Sequence, residues 1–264
     1  MDARPPSPDT PHAALGVGAG CAVLIGVSIA LSLLFAAWSA ITGAPIPEGD
    51  APLLQAVGLP IQHTVLALTA LGLAWFSSDG VRGALALGRG RSGWLALLVL
   101  PVGHLADRAV SLARALAPSL DRGGLDTLAG AVTAPGLTGV AVMAGAFLFA
   151  PVAEELLFRG YVYRGLERGL GPVAAVGLTA TAFGLYHFDP VHIIGALTIG
   201  LWLGWLRWAT GAIWPCIAAH MLNNGVWILS THLGWEAAPP GWADAAAIAL
   251  VVGALGVVWK RDTS

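Results

Sequence analysis

Charge is scarce in this sequence. Only 11% of its 264 residues are Asp, Glu, Lys or Arg, against about 25% in a soluble domain. That deficit excludes a disordered chain and argues against a soluble globular enzyme. Lysine is all but missing: Lys260 stands alone beside twelve arginines. The formal net charge is -2, so no polyanion partner such as nucleic acid is indicated. The two cysteines, Cys21 and Cys216, sit inside apolar runs, which argues against a disulfide framework or a Cys-based metal site. Neither G-x-S-x-G nor H-E-x-x-H occurs. The nucleophile elbow of a serine hydrolase and the zinc-protease helix are therefore absent. No internal repeat is visible either, which counts against a transporter built from inverted halves.

Long apolar runs are what the chain has instead, and apolar residues make up 56% of it. A bilayer-spanning helix needs about 20 apolar residues. Eight candidate segments follow: Ala14–Thr42, Leu53–Phe76, Trp94–Leu116, Pro135–Arg168, Val173–Phe188, Val191–Trp208, Ala212–Thr231 and Trp242–Trp259. The first is too long for the apolar region of a signal peptide and is expected to stay in the mature protein. The fourth is long enough to tilt or protrude. The expected fold is an all-α polytopic membrane protein, a bundle of about eight transmembrane helices. Its expected parts are a polar Pro-rich tail (1–12), helices one to three (13–131), a catalytic core of helices four to seven (132–231), and the last helix with a basic tail (232–264).

Basic residues favour alternate links. Arg82, Arg89 and Arg91 fall in the second, Arg164 and Arg168 at the fourth, Arg207 at the sixth, and Lys260 and Arg261 in the tail. The third link, with Arg122, is the exception. The positive-inside rule then puts both termini in the cytoplasm. Trp75, Trp94, Trp208, Trp242 and Trp259 fall near segment ends, as an interfacial belt would. Gly16/Gly20 and Gly200/Gly204 have the small-xxx-small spacing that lets membrane helices pack closely. Abundant Ala, Gly and Arg with one Lys suggests a bacterial gene, and so a bacterial inner membrane.

Polar groups inside apolar spans are costly and need a reason. Three clusters stand out. In Glu154-Glu155-Leu156-Leu157-Phe158-Arg159, Glu155 and Arg159 are four residues apart and can pair on one helix face. Such a pair can also serve only to hold a bundle together. Glu154 lies about 100° round the helix from Glu155, with no local partner. In Phe183-Gly184-Leu185-Tyr186-His187, the phenyl ring and the imidazole share a face. In His220-Met221-Leu222-Asn223-Asn224, His220 and Asn224 lie one turn apart.

Spacing brings these clusters to one depth. With a turn near Gly169–Pro172, Glu154 lies ~21 Å back along one helix and His187 ~22 Å along the next. A Glu beside a His can polarise water for attack on a carbonyl. Two further donors, His220 and Asn224, can face the oxyanion of a tetrahedral intermediate. On residue type alone the metal question stays open, since Glu154, His187 and His220 are acceptable zinc ligands.

The order Glu-Glu-x-x-x-Arg, Phe-x-x-x-His, His-x-x-x-Asn resembles the CPBP family over Pro135–Leu229. That family contains the type II CAAX prenyl endopeptidases and the bacteriocin-processing and immunity (Abi) proteins. Glu154, Glu155 and Arg159 match its first motif, Phe183 and His187 its second, His220 and Asn224 its third. The resemblance implies an eight-helix bundle with a cavity between helices four, five and seven, and an intramembrane endopeptidase activity. Glu154 and His187 would activate water, His220 and Asn224 would form the oxyanion site, and Glu155, Arg159 and Phe183 would support them. The family is often labelled metalloprotease, while its eukaryotic branch resembles a metal-independent glutamate protease. No cofactor is expected here on that second pattern, and the substrate would be a peptide or membrane protein. Two other functions would use the same residues: a non-catalytic immunity or scaffold protein, and a transporter.

Two neighbouring groups complete the inventory. His192 and Asp189 follow His187 closely, and His192 can take its place in a shifted register. His104, Asp107 and Arg108 form a second polar cluster, expected to be a local ion pair or a water-facing helix end.

Overall fold

The computed structural model describes residues 10–43, 52–120, 123–234 and 241–262. The Pro-rich start from Arg4 to Pro8 and Arg122 lie outside the described residues, as do the side chains of Cys21, Trp259, Lys260 and Arg261. The elements are α1 (Thr10–Thr42), α2 (Pro52–Trp75), α3 (Gly80–Ala84), α4 (Val99–Leu116, entered through a 3-10 stretch Gly93–Leu98), α5 (Gly123–Val132), α6 (Gly136–Ala144), α7 (Ala150–Glu155), α8 (Tyr163–Leu170), α9 (Pro172–Leu185), α10 (Pro190–Thr210), α11 (Trp214–Leu233) and α12 (Trp242–Asp262). No strand occurs among the described residues. The π-helical stretches Gly145–Phe149 and Leu156–Val162 join α6, α7 and α8 into one helix, Gly136–Leu170.

All eight apolar segments are helical. Pro52–Trp75, Gly93–Leu116, Gly136–Leu170 and Pro190–Thr210 are long and apolar enough to cross a membrane, while Pro172–Leu185 and Trp242–Gly256 are apolar but shorter. Two short helices, α3 and α5, occupy what the sequence suggests are links. At ten residues, α5 is only ~15 Å long and cannot span. The outer surface exposes Ile25, Leu34, Leu68, Phe76, Leu137 and Val173. So extensive an apolar exterior fits lipid rather than water. The chain is an all-α polytopic membrane protein.

Contacts between links show how the bundle alternates. The Ile213 N–H donates to the Ala86 carbonyl and the Arg91 N–H to the Thr210 carbonyl, which joins the second and sixth links. Arg164 and Arg168 both bind Asp79, which joins the second and fourth. On the opposite side, the Gly124 N–H donates to Asp189 Oδ2 at 3.0 Å, joining the third and fifth. The second, fourth and sixth links thus share one side, and the third and fifth links share another. Arg82, Arg89, Arg91, Arg164 and Arg168 all belong to the even side.

Close packing of α10 on α9 depends on small residues. A Cβ at Gly200 would lie 3.2 Å from Ala180 Cα and one at Gly204 would lie 3.3 Å from Val176 Cα. Cβ atoms at Gly16 and Gly20 would meet Tyr161, Val162 and Leu157, so α1 lies against the second π stretch. Both glycine pairs therefore serve packing within the bundle.

Asp79 anchors the second link to the end of α8. Burial alone would raise its carboxyl pKa, but the bonds from Arg168 and Arg164 outweigh burial and hold it below the ordinary carboxylate range. A carboxyl lowered in the folded state stabilises above its unfolded pKa, about 3.9, and that stabilisation is lost as pH falls through the folded value. Both arginines are partly solvated, so the effect is about 1 kcal/mol or less. We expect Asp79→Asn to unfold at lower temperature than wild type at neutral pH, with the gap closing in acid. Thermal unfolding in detergent at several pH values checks this.

Candidate active site

The long helix Gly136–Leu170 delivers the first motif. Pro151, at the start of α7, has no N–H for the carbonyl four residues back. The helix widens into the π stretch Gly145–Phe149 just before it and into a second, Leu156–Val162, just after Glu155. Wide turns of this kind are frequent at functional sites. Glu154 and Glu155 lie on the narrow turn between them, and both are buried.

Glu155 is bound from two sides. Its Oε1 accepts from Arg159 Nη1 at 2.9 Å and from His220 Nδ1 at 2.9 Å. Arg159 also donates through Nη2 to the Gly200 carbonyl at 3.2 Å, and its guanidinium sits 4.3 Å from the centroid of the Phe183 ring. Neither Glu155 nor Arg159 is exposed at all, so removing one would strand the other as a buried uncompensated charge. Glu155 Oε2 and Arg159 Nε have no hydrogen-bond partner among the described residues.

Phe183 is the common wall of the site. Its ring makes edge contacts with His187 at 5.0 Å, His220 at 5.7 Å and Phe158 at 5.4 Å between centroids. His187 lies just beyond the end of α9, and its Nδ1 is 2.8 Å from the Phe183 carbonyl. Its ring lies 4.1 Å from that of His192, in the first turn of α10. His192 thus stands beside His187. At fourteen residues, α9 is ~21 Å long, well short of the ~30 Å hydrocarbon core. The turn carrying His187 therefore falls at membrane depth.

Glu154 faces a different set of partners. His63 Nε2 lies 3.2 Å from Oε1, and His220 Nε2 lies 3.9 Å from Oε2. His187 is close enough to interact electrostatically with it. Sequence reasoning left Glu154 without a partner because the partner comes from α2, ninety-one positions away. His63 is the one ionisable residue of α2. A lone imidazole in an apolar span was the signal that could have found it.

The structure thus brings together Glu154, Glu155, Arg159, Phe183, His187 and His220, and adds His63 and His192. Asn224 lies one turn beyond His220 on α11. Its Nδ2 donates to the Ala146 carbonyl in the first π stretch at 2.9 Å, and its Oδ1 accepts from Asn223. An apolar groove of about 500 Å³, lined by Phe147, Met221, Gly225 and Leu229, runs beside it between the long helix and α11. Among the described residues, no group of three or more His, Cys, Asp or Glu is arranged to hold a metal ion.

Two further polar groups meet distant partners. Arg207, in the last turn of α10, is buried, donates through Nε to the Arg159 carbonyl at 3.1 Å and lies over the Tyr163 ring. Wide turns realign backbone carbonyls, and a side-chain donor from α10 meets one of them here. His104 and Arg108 both bind Asp244 Oδ1, at 2.6 and 2.9 Å, and so tie α4 to α12.

No curated protein and no solved structure matches the chain significantly. Residues 136–226, which carry all three motifs in order, match the family described as Type II CAAX prenyl endopeptidase Rce1-like.

Proposed function

We propose that the chain is an intramembrane endopeptidase in which Glu154 activates a water molecule for direct attack on a peptide carbonyl. The observation that carries this is a buried carboxylate held among His63, His187 and His220, inside the segment that matches an endopeptidase family. Its neighbour Glu155 is already bound to Arg159 and His220, so the two carboxylates divide into a base and a support. Environment separating adjacent carboxylates in this way is a recurrent design in acid–base catalysis.

The chemistry follows from the donor inventory. Water loses a proton to Glu154 as its oxygen bonds to the carbonyl carbon. The tetrahedral intermediate collapses, the C–N bond breaks, and Glu154 returns that proton to the leaving amine. His187 carries its proton on Nδ1, facing the Phe183 carbonyl, so its Nε2 is an acceptor that can orient the water. Asn224 has two amide N–H donors and spends one on Ala146, which leaves one for the oxyanion. His220 uses Nδ1 toward Glu155, so it donates through Nε2 only as an imidazolium. The reading uses no cofactor. Its substrate is a peptide or membrane-protein segment reached within the bilayer. On this reading the basic residues of the even links favour both termini in the cytoplasm of a bacterial cell, with the protein in its inner membrane.

Glu154→Gln keeps the side-chain shape and removes the base. In lipid-reconstituted protein tested against a peptide library, we expect it to cut cleavage by about 10²–10⁴-fold with unfolding unchanged, and chelators to leave the wild-type rate intact. Wild-type cleavage by Glu154→Gln sinks the water-activation reading. A reporter fused after Lys260 should read cytoplasmic, and an extracytoplasmic signal would reverse the orientation.

A further inference from the structure

His63 lies outside the matched residues 136–226, and nothing in the three motifs refers to it. Its ring nitrogens are both engaged. Nδ1 lies 2.8 Å from the Leu59 carbonyl, one turn back on α2, and Nε2 lies 3.2 Å from Glu154 Oε1. A carbonyl only accepts, so Nδ1 carries a hydrogen. In a neutral imidazole Nε2 then offers only a lone pair, and so does an ionised carboxylate. Two lone pairs facing each other at this distance, at 4% and 6% side-chain exposure, would cost both groups a hydrogen bond in a buried setting. A proton therefore lies between them.

The other groups that face Glu154 do not supply it. His187 directs Nδ1 at the Phe183 carbonyl and His220 directs Nδ1 at Glu155, so each presents an acceptor Nε2 when neutral. His192 stacks on His187. Glu155 and Arg159 are paired with each other.

We propose that His63 is the positioning residue of this site: it shares one proton with Glu154 Oε1, holds that carboxylate ionised, and turns Oε2 toward the water. The shared proton is a property of the pair, while its consequence for turnover rests on the endopeptidase reading above. The proton on His63 stays on Nε2 throughout. Oε2 takes the proton of water as the new C–O bond forms and gives it to the amine as the C–N bond breaks. The imidazolium offsets a charge that would otherwise be buried without a counter-ion.

The test uses the full chain in lipid and two variants. His63→Leu keeps volume and removes the donor; His63→Gln keeps a neutral donor and guards against misfolding of the first. Infrared difference spectra, with the Glu154 band assigned by its loss in Glu154→Gln, read the carboxyl directly. We expect the band to change from carboxylate to protonated carboxyl at neutral pH in His63→Leu. We also expect kcat to fall about 10–100-fold, as for other partners that orient a reactive group, with KM nearly unchanged. Without the imidazolium the carboxylate is harder to form, so the rising limb of the kcat–pH profile should move to higher pH. His63→Gln should show smaller changes in the same direction. An unchanged carboxyl band in both folded variants overturns the proposal, as does an unchanged pH profile. If wild type cleaves nothing, the endopeptidase reading fails while the infrared band still decides whether the proton is shared.

Discussion

The site depends on one buried ion pair. Glu155 and Arg159 are fully enclosed, and their mutual charge compensation lets both exist at membrane depth. From that pair the rest of the architecture extends. Arg159 reaches the Gly200 backbone on α10 and lies over Phe183 on α9, while Glu155 takes His220 from α11. Three elements, α9, α10 and α11, are pinned to two adjacent turns of the long helix. A Cβ at Gly200 would press on the Arg159 guanidinium, at 3.2 Å, so glycine there serves the pair as well as the packing of α10 on α9.

Two neighbouring carboxylates end in unlike surroundings because the helix turns them apart. Glu155 points into a closed network of Arg159 and His220. Glu154 points at imidazole edges from α2 and α11. The pattern of Nδ1 contacts is consistent across the site. His63, His187 and His220 each direct Nδ1 at a carbonyl or carboxylate, which fixes ring orientation and leaves Nε2 for the shared volume. On the proposed reading, that common ring orientation makes the site receptive to a water molecule and its protons.

Much of this was legible in the sequence, for identifiable physical reasons. Hydrocarbon thickness dictates apolar length, so the apolar helices could be read directly, and among the described residues four of them are long and apolar enough to cross a membrane. Helical periodicity paired Glu155 with Arg159 and Phe183 with His187, because both relations lie within one turn. What was not legible is either non-local or irregular. His63 meets Glu154 across ninety-one positions. Arg207 finds its carbonyl partner at Arg159 in a wide turn that no periodicity announces. His104 and Arg108 meet Asp244 from the other end of the chain.

The central claim is that water attacks the peptide carbonyl directly, with Glu154 as base and no acyl-enzyme. The most direct measurement is cleavage of a peptide by the reconstituted protein in water labelled with heavy oxygen, with a competing amine nucleophile present, followed by mass analysis of the products. The account predicts one labelled oxygen in each new carboxyl terminus and no transfer of the acyl fragment to the amine. An amine adduct, or a protein mass increased by the acyl fragment, would contradict it.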